Sequence, residues 1–117
     1  MKFNEIQLFS KDFKRLSKKY RSLPDDLLEF KKVVSKFPLG TGKHFALLTA
    51  TETVKVIKAR LFCRYLKGSS LRVIYAYRGI KPVVEFIEIY SKTEKEREDK
   101  ERIKNYLKSF TGKAVKE

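Results

Sequence analysis

The sequence contains one cysteine, one histidine and no tryptophan. A single Cys63 cannot form an internal disulfide and suits a reducing compartment. A single His44 excludes a two-histidine ribonuclease mechanism and any ordinary zinc cluster. Neither a glycine-rich phosphate loop nor a serine-type triad is present, and neither a metal nor a small-molecule cofactor is expected. No apolar run approaches the roughly 20 residues of a membrane-spanning helix. Phe3-Asn4-Glu5 follows Met1-Lys2 where a signal peptide would carry its apolar region. The expectation is a soluble, cytoplasmic protein with no membrane partner. The most informative absence is local. Between Thr53 and Val84 there is no acidic residue, yet that stretch carries Lys55, Lys58, Arg60, Arg64, Lys67, Arg72, Arg78 and Lys81.

What is present fits one domain. The chain has 117 residues, 42% of them hydrophobic, with nine Phe and six Tyr to anchor a core. A single domain over 1–117 is expected, with about 3–108 structured and 109–117 a frayed tail. Its 28 Lys and Arg against 14 Asp and Glu give a net charge of +14. A compact chain with that excess repels itself and calls for a polyanionic partner: nucleic acid, an anionic membrane surface or an acidic protein.

Periodicity predicts the elements. Lys2 to Phe9 alternates loosely and reads as a short strand, after which Ser10 can cap a helix. Phe13, Leu16 and Tyr20 give that helix one apolar stripe. Ser22-Leu-Pro-Asp-Asp opens a second helix. Pro24 needs no N–H in the first turn, Asp25 and Asp26 suit the positive dipole end, and Leu27, Phe30, Val34 and Phe37 continue the stripe. Pro38-Leu-Gly-Thr-Gly closes this helical hairpin. From Val54 the period becomes two, predicting strands at about Val54–Tyr65, Leu71–Arg78 and Val83–Tyr90. Lys67-Gly-Ser-Ser and Gly79-Ile-Lys-Pro read as the turns between them. Thr93-Glu-Lys-Glu96 has the form of a capping box opening a last helix, with Ile103, Tyr106, Leu107 and Phe110 as its stripe. The fold class is therefore α+β: an N-terminal helical hairpin packed on a small antiparallel sheet, with an extra C-terminal helix.

The two sheet faces differ in chemistry. Odd positions such as Ala59, Leu61, Cys63, Val73, Tyr75, Ile87 and Ile89 are apolar and should pack on the helices. Even positions mix cations with rings: Lys58, Arg60, Phe62, Arg64; Arg72, Ile74, Ala76, Arg78; Val84, Phe86, Glu88, Tyr90. That mixture serves phosphates and bases in single-stranded RNA binders. A first turn centred on Gly68 places Arg64 opposite Arg72, and the second turn places Arg72 opposite Tyr90, with Lys67 and Lys92 flanking. Two neighbouring arginines repel unless an anion lies between them, and a one-residue slip would dissolve the cluster. Blander readings attach to other residues. Cys63 reads as a buried structural thiol, and His44, in a loop-like stretch, as incidental to chemistry. Glu85, which interrupts the core face, reads as paired with a cation or near an edge. The run Glu94 to Arg102 reads as a solvated helix face with i,i+4 pairs.

The element order resembles the RelE/ParE superfamily, the toxins of type II toxin–antitoxin systems, over residues 3 to 108. The resemblance rests on Phe9-Ser-Lys-Asp-Phe13-Lys-Arg-Leu16, Lys58-Ala-Arg60, Leu71-Arg-Val-Ile-Tyr-Ala-Tyr77 and Ile87-Glu-Ile-Tyr-Ser-Lys92. In the RelE branch it implies a ribosome-dependent mRNA endonuclease, acting without a metal through attack of the ribose 2′-OH on the adjacent phosphate. The partners it implies are the ribosome, mRNA and an acidic antitoxin. Arg72, Arg64, Tyr90, Glu88 and Lys92 would then serve the reaction, and Lys55, Lys58, Arg60, Lys67 and Arg78 would hold RNA. The family's C-terminal tyrosine or histidine has no direct counterpart, Tyr90 being nearest and Tyr106 next. A ParE-like DNA gyrase inhibitor, a non-catalytic relative and a plain RNA-binding module are the alternative readings.

Overall fold

The computed structural model describes residues 1–67 and 70–115, with side chains through Ser109. Its elements are β1 (Lys2–Glu5), α1 (Gln7–Lys19), α2 (Leu23–Lys36), a 3₁₀ turn (Gly42–His44), β2 (Phe45–Ala50), β3 (Lys55–Phe62), β4 (Ser70–Arg78), β5 (Val83–Tyr90) and α3 (Lys100–Val115). The sheet order is β1-β5-β4-β3-β2. β3 to β5 pair antiparallel, as expected, and β2 adds to β3 in the same sense, while β1 runs parallel to β5 and makes the sheet mixed. The α+β architecture with a helical hairpin on one face and an extra helix on the other matches the sequence expectation. No helix among the described residues is long and apolar enough to cross a membrane.

α1 starts at Gln7, earlier than Ser10, because the strand has already ended: Ile6 N donates to Phe86 O at 3.1 Å and the chain then turns. Ser10 lies inside the first turn, with its hydroxyl on Glu5 and Ile6 O rather than at the cap. Phe9 and Leu16 are buried on the sheet beside Leu23, Leu27, Phe30 and Val34 of α2. Phe9 and Phe86 stack at 5.2 Å. Phe37 ends the α2 stripe half-exposed, at the C-cap. The closing turn depends on Gly40, whose φ is +83° and where a Cβ would lie 2.1 Å from Phe45 Cγ. That turn delivers the chain into β2, a strand not anticipated from the sequence.

The connection from β3 to β4 differs from a tight hairpin. Phe62 pairs with Ser70, so the loop runs from 63 to 69, of which Gly68 and Ser69, the centre of the expected turn, lie outside the described residues. The loop is tied to the start of α2. Asp26 Oδ2 accepts from Ser22 Oγ at 2.7 Å and Arg64 N at 3.1 Å, Oδ1 accepts from Arg64 Nε at 3.0 Å, and Ser22 Oγ accepts from Tyr65 N at 2.9 Å. Burial alone would raise the Asp26 carboxyl, but the hydrogen bonds from Ser22 and Arg64 outweigh it and hold it below the ordinary value.

The other sheet face is set by a bulge. Ile74 pairs with Glu88 and Tyr75 with Phe86, which leaves Ile87 unpaired. Before Ile87 the even residues Val84 and Phe86 face the helical hairpin; after it the odd residue Ile89 does. The expected assignment of Val84 and Phe86 to the cationic face, and of Ile87 to the hairpin face, is therefore reversed. Ile87 joins Val54, Val56, Ile74 and Ala76 under Ile103 and Tyr106 of α3. α3 begins at Lys100 rather than at Thr93: Arg102 N donates to Asp99 Oδ1 at 3.0 Å and Ile103 N to Asp99 O at 3.2 Å, which makes Asp99 the cap. The helix reaches Val115, beyond the boundary expected at 108, with 116–117 and the Phe110 side chain outside the described residues.

Asp26→Ala strips the loop of its anchor and leaves Arg64 N unpaired, an expected loss of about 1–3 kcal/mol in urea unfolding. Because folding lowers the Asp26 pKa, its stabilisation is complete above the ordinary 3.8 and fades as pH falls through the lower folded value. The difference between parent and variant should therefore shrink in acid; a difference constant down to pH 2 would contradict the linkage.

Candidate anion-binding site on the sheet

The site is a row across three strands. Arg60 on β3 pairs with Arg72 on β4, which pairs with Tyr90 on β5. The Arg72–Tyr90 register is as expected, but Arg60 rather than Arg64 stands opposite Arg72. The loop's extra length slides β3 by four residues, an even number, so the cationic face keeps its parity while its members change. Arg64 has left the sheet for Asp26.

A cleft of about 200 Å³ opens over this row, lined by Lys43, His44, Lys58, Arg60, Arg72 and Lys92. Arg72 Nη1 donates to Ser70 Oγ at 2.9 Å, which steadies the guanidinium without neutralising it. Among the described residues no carboxylate pairs with Lys43, Arg60, Arg72 or Lys92. Facing like charges about 5 Å apart across two strands are relieved by an anion between them, so the row is suited to a phosphate.

Residues 91–99, expected as a helix face, instead form an irregular strap across the rest of the surface. Its carboxylates and amines take specific partners: Glu94 holds Arg15, Glu98 Oε1 accepts from Lys58 Nζ at 3.0 Å, and Lys95 holds Glu88. Glu88 faces this side as expected, but it is 1% exposed, with Asp99 N donating to its second oxygen at 2.8 Å. Both oxygens are engaged, which leaves no free lone pair aimed at the cleft. Arg102 bridges Asp12 of α1 at 2.7 Å and the carbonyl of Ile87 at 3.0 Å, so the bulge's own oxygen is satisfied.

Tyr90 is 1% exposed, with Lys95 Nζ 5.2 Å over its ring and its hydroxyl without a hydrogen-bond partner among the described residues. Burial, reinforced by Glu98 and Glu88, pushes the phenol up to about 12. At neutral pH it is a donor next to Arg72 and not a base.

The remaining predicted residues lie elsewhere. Lys67 is exposed in the loop at the Arg72 end of the sheet. Arg78 sits six residues along β4, about 20 Å from Arg72 at strand rise. Its Nη2 lies 3.6 Å from Glu85 Oε1, which also accepts from Tyr106 OH at 2.7 Å. Glu85 thus reaches the α3 face through the bulge and is paired there. Lys55 pairs with Tyr77 at the same far end. Lys43 and His44 were missed: their place depends on β2, whose run Phe45-Ala-Leu-Leu-Thr-Ala has Thr49 as its single β-branched residue and two alanines, although Gly42 and Thr51-Glu-Thr bracket it.

No family model matches the sequence, and no curated protein matches it. The structure is similar to a chain in the crystal structure of the archaeal RelE–RelB complex from Pyrococcus horikoshii OT3. The TM-score is 0.58 at 21% sequence identity, covering 77% of this chain and 92% of that chain. The fold is RelE-like.

Tyr90 gives the site a measurable signature. Folding raises its pKa, so its contribution to stability is complete below the ordinary 10.0 and is lost as pH rises toward about 12. Tyr90→Phe removes that loss, and the alkaline unfolding midpoint followed by circular dichroism should move upward. An unchanged midpoint would place the phenol in solvent.

Proposed function

We propose that the protein is the toxin of a type II toxin–antitoxin pair, an endoribonuclease that cuts mRNA on the ribosome and is silenced by an acidic antitoxin. The observation that carries this reading is the adjacent, carboxylate-free pair Arg60 and Arg72 at the floor of a cationic cleft. The fold supports it, because the similar chain comes from a complex of RelE with RelB. The net charge of +14 supplies a general attraction to RNA and to an acidic partner alike.

In this reading Arg60 and Arg72 straddle the scissile phosphate and stabilise the negative charge that grows on its oxygens as the 2′-oxygen attacks. Lys43 and Lys92 hold flanking phosphates. Tyr90, buried beside Arg72 and outside the cleft lining, packs the row rather than touching RNA. Arg60 takes the position first assigned to Arg64, whose guanidinium is occupied by Asp26. Lys58 joins the RNA only if Glu98 releases it. Lys67 can meet the strand as it leaves the cleft, whereas Lys55 and Arg78 are too distant to share it.

Cell-free translation of a defined message tests the reading. The protein should arrest translation and leave mapped cuts within the open reading frame. Arg72→Ala should slow cleavage by about 10²–10³-fold, the usual loss for one transition-state donor. Inhibition of DNA supercoiling with the message intact would instead assign a gyrase-directed toxin. RNA binding that weakens steeply with salt, without cuts or arrest, would leave a binding module.

A further inference from the structure

The cleft holds phosphate-binding cations in plenty, but the two acid–base candidates nearest to it are unavailable. Glu88 is buried with both oxygens engaged, and the Tyr90 phenol keeps its proton through the neutral range. Glu98 is committed to Lys58. Apart from the lysines Lys43, Lys58 and Lys92, the proton-exchanging side chain among the described residues of the cleft lining is His44.

His44 is placed by the backbone with little freedom. It is the last residue of the 3₁₀ turn, and Phe45, directly after it, pairs with Ala59, the neighbour of Arg60. The row across the sheet therefore reads His44, Arg60, Arg72, Tyr90. At ~4.8 Å per strand, an imidazole beginning beside Arg60 reaches the sugar of a nucleotide whose phosphate lies between Arg60 and Arg72. The ring is oriented as well as placed: it stands edge-on to Phe62, with centroids 5.2 Å apart and planes at 87°. Its Nδ1 is buried without a hydrogen-bond partner among the described residues.

We infer that His44 is the general base of this site, taking the proton from the ribose 2′-hydroxyl. The inference rests on the endoribonuclease reading above. The freed 2′-oxygen attacks phosphorus while the bond from phosphorus to the 5′-oxygen breaks. The departing oxygen takes a proton from water, and the imidazolium returns its own to solvent. A 2′,3′-cyclic phosphate and a 5′-hydroxyl result, and no oxidant or metal enters the balance. The charged groups around it are Lys43 on its own turn, Lys58 and Arg60 on β3, Arg72 on β4 and Lys92 after β5, with Glu98 of the strap on Lys58. The uncharged Phe62 stands edge-on beside the ring.

Single-turnover cleavage of a ribosome-bound message across about pH 5 to 9 tests this. The parent should show a rate that rises with pH through one ionisation and then levels. His44→Gln, close in size and still polar, should lose about 10²–10⁴-fold in rate along with that acidic limb, while binding of a non-cleavable 2′-deoxy message changes less than about twofold. His44→Ala should behave alike, and added imidazole should restore part of its activity. A parent profile with no ionisation in the window, or either variant cutting at the parental rate, overturns the role of His44 and leaves the endoribonuclease reading intact. Failure of the parent to cut any message overturns both.

Discussion

Side chains on a strand must alternate, and one unpaired residue, Ile87, breaks that alternation once. The packing of both sheet faces follows from it. Without the bulge, Ile87 would face the helical hairpin, and α3 would lose the centre of the apolar patch under Ile103 and Tyr106. Phe86 would leave the aromatic cluster of Phe9, Phe30 and Tyr75 for the opposite face. With the bulge both faces are filled, while Tyr90 keeps the place beside Arg72 that regular alternation also gives it. The exposed carbonyl that a bulge creates is met by Arg102, which also grips Asp12. One extra residue therefore fixes the docking of two helices.

Carboxylates have been distributed so that the cleft keeps its charge. Six acids lie from Glu94 to Glu117, C-terminal to the acid-free stretch, and the strap brings several of them back over the sheet. Their targets are Arg15, Lys58 and, through Lys95, the buried Glu88. Among the described residues no carboxylate pairs with Arg60, Arg72, Lys43 or Lys92. A buried carboxylate such as Glu88 is costly unless both oxygens are hydrogen-bonded, and Lys95 with Asp99 N meets that requirement. The strap thus divides one broad basic face into a neutralised half and a charged half.

Local pattern made the helical hairpin, the three long strands and the cationic parity legible, because each is a repeat of apolar residues at period 3.6 or 2. The Arg72–Tyr90 pair was legible for the same reason: the β4–β5 turn is short. Three features depended on tertiary partners and were not. The slide of β3 is fixed by Asp26 binding Arg64 across 38 positions of sequence, which no hairpin rule contains. The bulge is indistinguishable from regular alternation in Val83-Val-Glu-Phe-Ile-Glu-Ile-Tyr, where nearly every residue is apolar. β2 is a weak strand former held by its neighbour β3 and by the Gly40 turn, and with it His44 moved from a loop to the cleft.

The parallel pairing of β1 with β5 joins Lys2 to Val83 and Glu5 to Phe86. A ribosome making this chain releases the N-terminal strand first, and its only sheet neighbour emerges some 80 residues later. The α1–α2 hairpin can form early, but its apolar face waits for β5, and the loop closure that brings them together is entropically expensive and slow. Arg72, Tyr90 and Lys92 come into one surface only when the final third of the chain is out, and Asp12 meets Arg102 later still. The topology orders assembly: the nascent chain carries positive charge before β5 emerges, but the cleft that organises it exists only once β5 and Lys92 are out.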